Sequence, residues 1–272
     1  MTRSRSFESF ITTREHKRFV EFANAVRKHR YIGLCFGPAG VGKTLSARRY
    51  AHWDRIQPFI LDWGQRQSSK AQIYALAERT RTIFYTPGVG GGLRQMKDNL
   101  RLLALRTGIC ISCGIAIRKQ NTDELHPTPI DLMIIDESER LTLAGFEYLR
   151  DLFDRHQMGL ILTGMPGIEK RLSRYPQLYS RVGFAHEYRP LRGDELTFVL
   201  RHHWRKLGLD LQNAEFTDTQ AIAAIARLTG GNFRLLQRLF VQIERVLKIN
   251  ELSAITDDVV EAARSTLVIG AA

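Results

Sequence analysis

The chain has 272 residues, 44% hydrophobic and 25% charged, an ordinary globular balance in which 40 Lys plus Arg outweigh 28 Asp plus Glu to leave +12. Three cysteines exclude a disulfide-stapled scaffold and fit a reducing compartment; apolar runs of a few residues and a start, "MTRSRSFESF", with no apolar core segment point to the cytoplasm rather than a membrane or the secretory route. The cation excess favours a polyanionic partner, because many Lys and Arg on one fold attract phosphate backbones without reading sequence.

Residues 12–28 carry Phe19, Phe22, Ala23 and Val26 on one stripe, with Thr12 and Glu15 as a capping box, and so predict an amphipathic helix. "YIGLCF" (31–36) reads as a buried strand, "GPAGVGKT" (37–44) as a glycine loop, and 43–53 as a helix. "PFILDW" (58–63) is expected to be a second strand, 68–80 a helix, and "TPGVGGG" (86–92) a break before a basic helix over 93–106. Residues 108–129 fit neither period and are expected to form an insertion. "IDLMIIDE" (130–137) has the continuous apolar run of a strand buried on both faces. A helix (141–157), a strand (159–164), a mostly helical stretch (167–181) and a fifth strand (183–190) follow. From Leu191 onward four helical stretches occur with no strand between them; Thr217 with Gln220, and Thr256, are candidate caps. The expected organisation is an N-terminal helical segment (1–29), an α/β core with a parallel five-stranded sheet (30–190) and an all-helical C-terminal domain (191–272).

Two motifs carry chemistry. The glycine loop matches G-x-x-x-x-G-K-[ST] and sits between strand and helix, the context in which backbone N–H groups and a helix N-terminus cradle phosphates. Gly37, Pro38, Ala39, Gly40, Val41, Gly42, Lys43, Thr44 and Leu45 are the candidate nucleotide-binding residues, with Lys43 reaching the β and γ phosphates and the Thr44 hydroxyl on Mg²⁺. The second motif ends "IIDE": Asp136 can hold Mg²⁺, and Glu137 can orient and deprotonate a water. Together they predict ATP hydrolysis with Mg²⁺.

With these motifs in place the sequence resembles the AAA+ family, a P-loop α/β core followed by a helical lid. The resemblance implies that Thr163 in "LILTG" is the polar sensor beside the attacking water. Arg181 in "YPQLYSRVGF" would be the finger offered to a neighbouring subunit, with Arg171 and Arg174 as rivals, and Arg234 in "GGNFRLL" the lid arginine over the nucleotide. Within AAA+, the chain is most similar to the transposition ATPases, the MuB, TnsC and TniB group. That implies a homo-oligomer, a ring or a helical filament with about six subunits per turn, on double-stranded DNA, together with a transposase and a target-site selector protein. Lys43 and Asp136 are 93 residues apart, which is long for that group, and threonine stands where many AAA+ proteins have asparagine. Other readings are a helicase loader and a nucleotide-switched protein scaffold.

The resemblance places DNA against the segment between the two motifs. There Arg94, Lys97 and Arg101 share a helical face, and Arg118 with Lys119 add charge further on. No bidentate arrangement predicts base readout, so backbone contact is expected. Cys110 and Cys113 form an isolated C-x-x-C with only His126 nearby, too few ligands for zinc, and read as incidental cysteines.

Overall fold

A computed structural model describes residues 10–63, 70–120, 126–211 and 216–267. Five short strands, β1 (Ile32–Phe36), β2 (Thr82–Tyr85), β3 (Leu132–Ile135), β4 (Gly159–Gly164) and β5 (Val182–Glu187), form one sheet in the order β2-β3-β4-β1-β5. Every pairing is parallel. β3 and β4 are buried along their whole length, as continuous apolar runs in a sheet covered on both faces must be. β5, at the edge, alternates half-buried and exposed positions.

The helices are α1 (Arg14–His29), α2 (Lys43–Tyr50), α3 (Trp53–Leu61), α4 (Ala71–Thr80), α5 (Leu93–Lys119) and α6 (Leu143–His156). The short α7 (Ile168–Leu172) and α8 (Pro176–Tyr179) precede β5, and α9 (Gly193–Lys206), α10 (Phe216–Thr229), α11 (Phe233–Ile249) and α12 (Asp257–Ser265) follow it among the described residues. α1 enters on Thr13, whose hydroxyl accepts from His16 N–H at 3.1 Å, one residue later than the capping box placed it. Thr217 stands inside the first turn of α10 rather than at its cap, whereas Thr256 does cap α12 by accepting from Val259 N–H.

Three local expectations are corrected. "PFILDW" is not a strand: residues 53–61 are helix α3, because Trp53, Ile56 and Ile60 recur at three- and four-residue steps and all three are buried. The missing strand is β2, "TIFY", whose β-branched and aromatic residues suit a pleated surface but whose four residues fall below the length at which alternation is visible. Residues 108–119 are not a separate insertion but the second half of α5, which runs unbroken for 27 residues. Its period is obscured because Gly108 and Gly114 let backbone approach backbone: a Cβ at Gly114 would lie 2.6 Å from the carbonyl oxygen of Tyr74 on α4. Ser112 then pins the returning chain, exchanging hydrogen bonds with the hydroxyl and the N–H of Thr128 at 2.8 and 3.1 Å. By length and composition α5 could cross a bilayer, but here Leu100, Cys110, Ile111 and Cys113 are buried inside the fold.

The chain forms two compact units. Among the described residues, one consists of residues 18–37 and those between 43 and 188; the other takes 10–17, the five residues 38–42, and those from 189 to 267. The core of the second includes Leu196, Val199, Trp204, Ile225, Leu236, Leu239, Phe240, Ile243 and Val260, contributed by α9, α10, α11 and α12. Burial of each such side chain is worth about 1.5–3 kcal/mol against the unfolded chain.

Candidate nucleotide site

The glycine loop leaves β1 at Gly37 and enters α2 at Lys43. Gly37 is obligatory: a Cβ there would sit 2.2 Å from the carbonyl oxygen of Tyr188, whose N–H bonds back to Phe36 O at 2.7 Å. The Tyr188 hydroxyl shares a 2.8 Å hydrogen bond with Ser46 of α2, so the end of β5 braces both sides of the loop's base. Lys43 is buried, and its ammonium donates to Gly37 O at 2.6 Å across the loop. A buried lysine whose ammonium is held at the base of a glycine loop is a fixed positive charge of the kind that binds a phosphate.

The loop's tip, residues 38–42, groups with the helical unit. Gly40 has φ +78° and faces Asn232, the residue capping α11. The Asn232 side chain accepts from the N–H groups of Arg234 and Leu235 at 3.0 and 3.3 Å, and its amide donates to Ala39 O at 2.7 Å. Arg234 N–H also reaches Gly40 O at 3.1 Å, while its side chain is exposed. Sequence reasoning singled out Arg234 and passed over Asn232; an asparagine after two glycines and before a helix is an N-cap pattern, and that was the available signal.

β3 lies beside β4, and β4 beside β1, so the residue after β3 and the end of β4 converge at the carboxyl end of β1, beside the start of α2. Asp136, buried, accepts from the Thr44 hydroxyl at 2.8 Å on one carboxylate oxygen and from the Thr163 hydroxyl at 2.5 Å on the other. Hard divalent cations with a preference for oxygen are held by one or two protein groups plus phosphates and water. The Thr44 hydroxyl and Asp136 carboxylate supply such a pair, so the residues fit Mg²⁺, and no third acid or imidazole joins them among the described residues.

Glu137 follows in left-handed conformation, φ 46° and ψ 48°, which turns its side chain away from the line of the strand. Its carboxylate is ion-paired with Arg140, and Arg140 also donates to Pro87 O at 3.0 Å in the loop after β2. The arginines between β4 and β5 differ sharply. Arg171 is structural: it donates to Glu139 O and Leu141 O at 2.6 and 2.5 Å and covers the Phe146 ring. Arg181 forms a fork with Asp154 of α6 at 2.6 and 2.9 Å. Arg174 is exposed.

Residues 26–172 match the family model of the AAA domain, more than half of the chain. The chain belongs to the AAA domain family. It is 44% identical over 269 residues, 97% of this chain and 98% of the relative, to a "Potential ATP-binding protein" of Staphylococcus aureus. Among solved structures it resembles the Thermotoga maritima RuvB Holliday junction branch migration motor, at TM-score 0.56 and 19% identity, covering 97% of this chain and 72% of that one. The ADP form of the Aeropyrum pernix ORC2 protein matches at TM-score 0.56 and 13% identity, over 96% and 70%. These likenesses establish the P-loop AAA+ fold: the parallel five-stranded sheet with its surrounding helices is like that of RuvB, and the helical C-terminal region is consistent with it.

The remaining residues singled out in the sequence do not gather in one place. Arg94 and Arg101 are exposed near the amino end of α5, with Leu102 and Leu105 exposed beside them, while the Lys97 ammonium lies 4.9 Å from the centre of the Tyr148 ring. Arg118 and Lys119 are at the other end of the same helix, roughly 36 Å from Arg94 at 1.5 Å per residue, and Arg118 is paired with Glu78 at 2.7 Å. The two basic tracts therefore lie at opposite ends of α5. Cys110 and Cys113 are buried in α5.

Proposed function

We propose that this AAA chain is a Mg²⁺-dependent ATPase that assembles on double-stranded DNA and serves DNA transposition as a target-selection or regulator protein. The carrying observation is the chain of hydrogen bonds from Thr44 through Asp136 to Thr163, set beside Lys43 at the base of the glycine loop. It joins a phosphate cradle, an oxygen pair for the cation and a polar side chain aimed at the same spot. The 44% identical relative, by its printed name a potential ATP-binding protein, supports the nucleotide.

In this reading Lys43 and the loop N–H groups bind the phosphates, and Thr44 and Asp136 would hold Mg²⁺, which when bound would supply charge neutralisation at the phosphates. Glu137 takes the proton of the attacking water, for which its carboxylate must leave Arg140. Thr163 positions that water, and Arg234 and a neighbour's Arg181 face the phosphates. The net charge of +12 supports a polyanionic partner, and the exposed Arg94 and Arg101 offer phosphate contacts without base readout. A homo-oligomer in the cytoplasm, ring or filament, would present the DNA-bound surface to a transposase and a target-site selector.

The test is ATP turnover with and without duplex DNA, in the wild type and in Glu137→Gln. The amide cannot accept a proton, so turnover should fall about 10²-fold or more while ATP affinity stays within about twofold. Turnover of the variant within about threefold of wild type would remove Glu137 from the mechanism.

A further inference from the structure

Opposite the nucleotide site, at the amino ends of the strands, the α/β unit has an open cavity of about 650 Å³. It is lined by Arg27, Lys28 and Arg30 at the end of α1, by the segment 129–131 that leads into β3, and by Arg155 with Gln157 at the end of α6. We propose that this groove is a second anion site, and that its ligand is the phosphate backbone of duplex DNA. The proposal rests on the DNA-bound reading above and moves the main contact from α5 to the base of the sheet.

The topology explains how the charge collects. In an α/β sheet the covering helices run antiparallel to the strands, so their carboxyl ends meet at the strands' amino ends. Cations favour helix carboxyl ends, which carry roughly half a negative charge each. α1 closes with Arg27, Lys28 and His29, and α6 with Arg155 and His156. Four formal cations then line the groove against the carboxylate of Asp131 and two helix ends worth about one charge together. The cations exceed what the dipoles account for.

Nor do the neighbours neutralise them. Asp131 is occupied by Arg27 at 2.8 Å and by Arg81 at 3.7 Å, so one acid serves two guanidinium groups. Arg30 has a neutral partner, Gln157, at 3.3 Å. Arg155 pairs with Asp151 along its own exposed helix face, the kind of pair that contributes little and exchanges readily. The positive field continues past the rim: Arg27 donates to the carbonyl of Arg79, and Arg79 contacts His52 at 2.8 Å. Burial, then Arg79, Arg49 and Arg55, hold the His52 pKa below 6.5, as a locally cationic surface requires.

The lining also selects the ligand. Guanidinium forks match phosphate oxygens two at a time, and the amides of Asn24 and Gln157 can donate to phosphate or sugar. No Phe, Tyr or Trp lines the groove, which leaves a single-strand base only the imidazole of His156 and the guanidinium planes to stack on, a poorer platform than an aromatic row. Pro129 and Ile130 are its apolar side chains, too little for an acyl chain or an amphipathic helix. Strands of four to six residues separate it from the glycine loop, roughly 13–20 Å, so DNA and nucleotide would not compete.

The experiment is a salt titration of duplex binding by fluorescence anisotropy with the full chain, comparing wild type, Lys28→Gln/Arg30→Gln/Arg155→Gln and Arg94→Ala/Lys97→Ala/Arg101→Ala. The groove variant should bind at least tenfold more weakly near physiological salt. Its slope of log affinity against log salt should fall by about 2–3, since each phosphate contact contributes about 0.9. Arg30→Lys/Arg155→Lys should retain the wild-type slope, and Arg30→Gln alone should lower it by about 0.9, which preserves the test if the triple variant does not fold. A folded triple variant with unchanged affinity and slope overturns the groove and leaves the DNA reading standing. Wild-type protein indifferent to duplex, with ATP and without, overturns the DNA reading and the groove's ligand with it. Preference for vesicles of anionic phospholipid over duplex overturns it in favour of a membrane surface.

Discussion

Asn232 joins two jobs that a single substitution can separate. Its carbonyl oxygen caps α11, and its amide holds Ala39 O in the loop tip. Asn232→Ala removes both, with about 1 kcal/mol lost at the cap and a weaker grip on the loop; melting temperature and ATP affinity should both fall. Asn232→Asp keeps the acceptor and loses the donor, so its melting temperature should stay near wild type while ATP affinity still drops. Calorimetry and nucleotide titration on the pair decide it: wild-type ATP affinity in the aspartate variant would show that the loop does not depend on the amide. The residues legible in the sequence were those whose spacing is fixed by local backbone, the glycine loop and the acids closing β3. Asp154, Arg140 and Tyr188 were not legible, because each matters through a partner brought close only by the sheet order.

Elements failed or succeeded as predictions according to how many turns of pattern they offer. α11 is long, strongly amphipathic and capped, and was plain; α3 and β2 were exchanged because nine and four residues of apolar sequence do not fix a period. α9 has a feature that periodicity misses. His203 stacks on Phe240 with ring centres 4.5 Å apart, and burial, then Lys206 and His202, lower its pKa from 6.5 to about 4. A base held neutral when folded binds its proton more readily in the unfolded chain. Its contribution to stability is therefore complete above pH 6.5 and is lost as the pH falls through about 4. Thermal unfolding of the wild type should lose several degrees between pH 7 and pH 4.5 that His203→Gln does not lose. Parallel declines in the two proteins would remove His203 as the cause.

The molecule as a whole is incomplete as an enzyme if Arg181 acts in trans. In the single chain its guanidinium is satisfied by Asp154, an exposed pair of low worth that a neighbour's phosphate can outcompete. Arg181→Ala should leave ATP affinity unchanged and reduce assembly-dependent turnover by about 10³-fold. Mixing with excess Lys43→Ala, whose fingers are whole, should restore it; no recovery on mixing would place the finger elsewhere, with exposed Arg174 the next residue to test. α5 bears on the same scale. At 27 residues it is roughly 40 Å long, about two to three times the span of strands of four to six residues. It touches its neighbours backbone to backbone at Gly108 and Gly114. In mechanical terms it is a stiff rod resting off-centre on a fulcrum, its long arm carrying Arg94 and Arg101. A tilt of about 5° about Gly108 moves the amino end, roughly 22 Å away, by about 2 Å. Because Met96 and Leu100 on that arm are buried, a tilt that made or broke a contact at the far end would have to carry the packing of α5 with it.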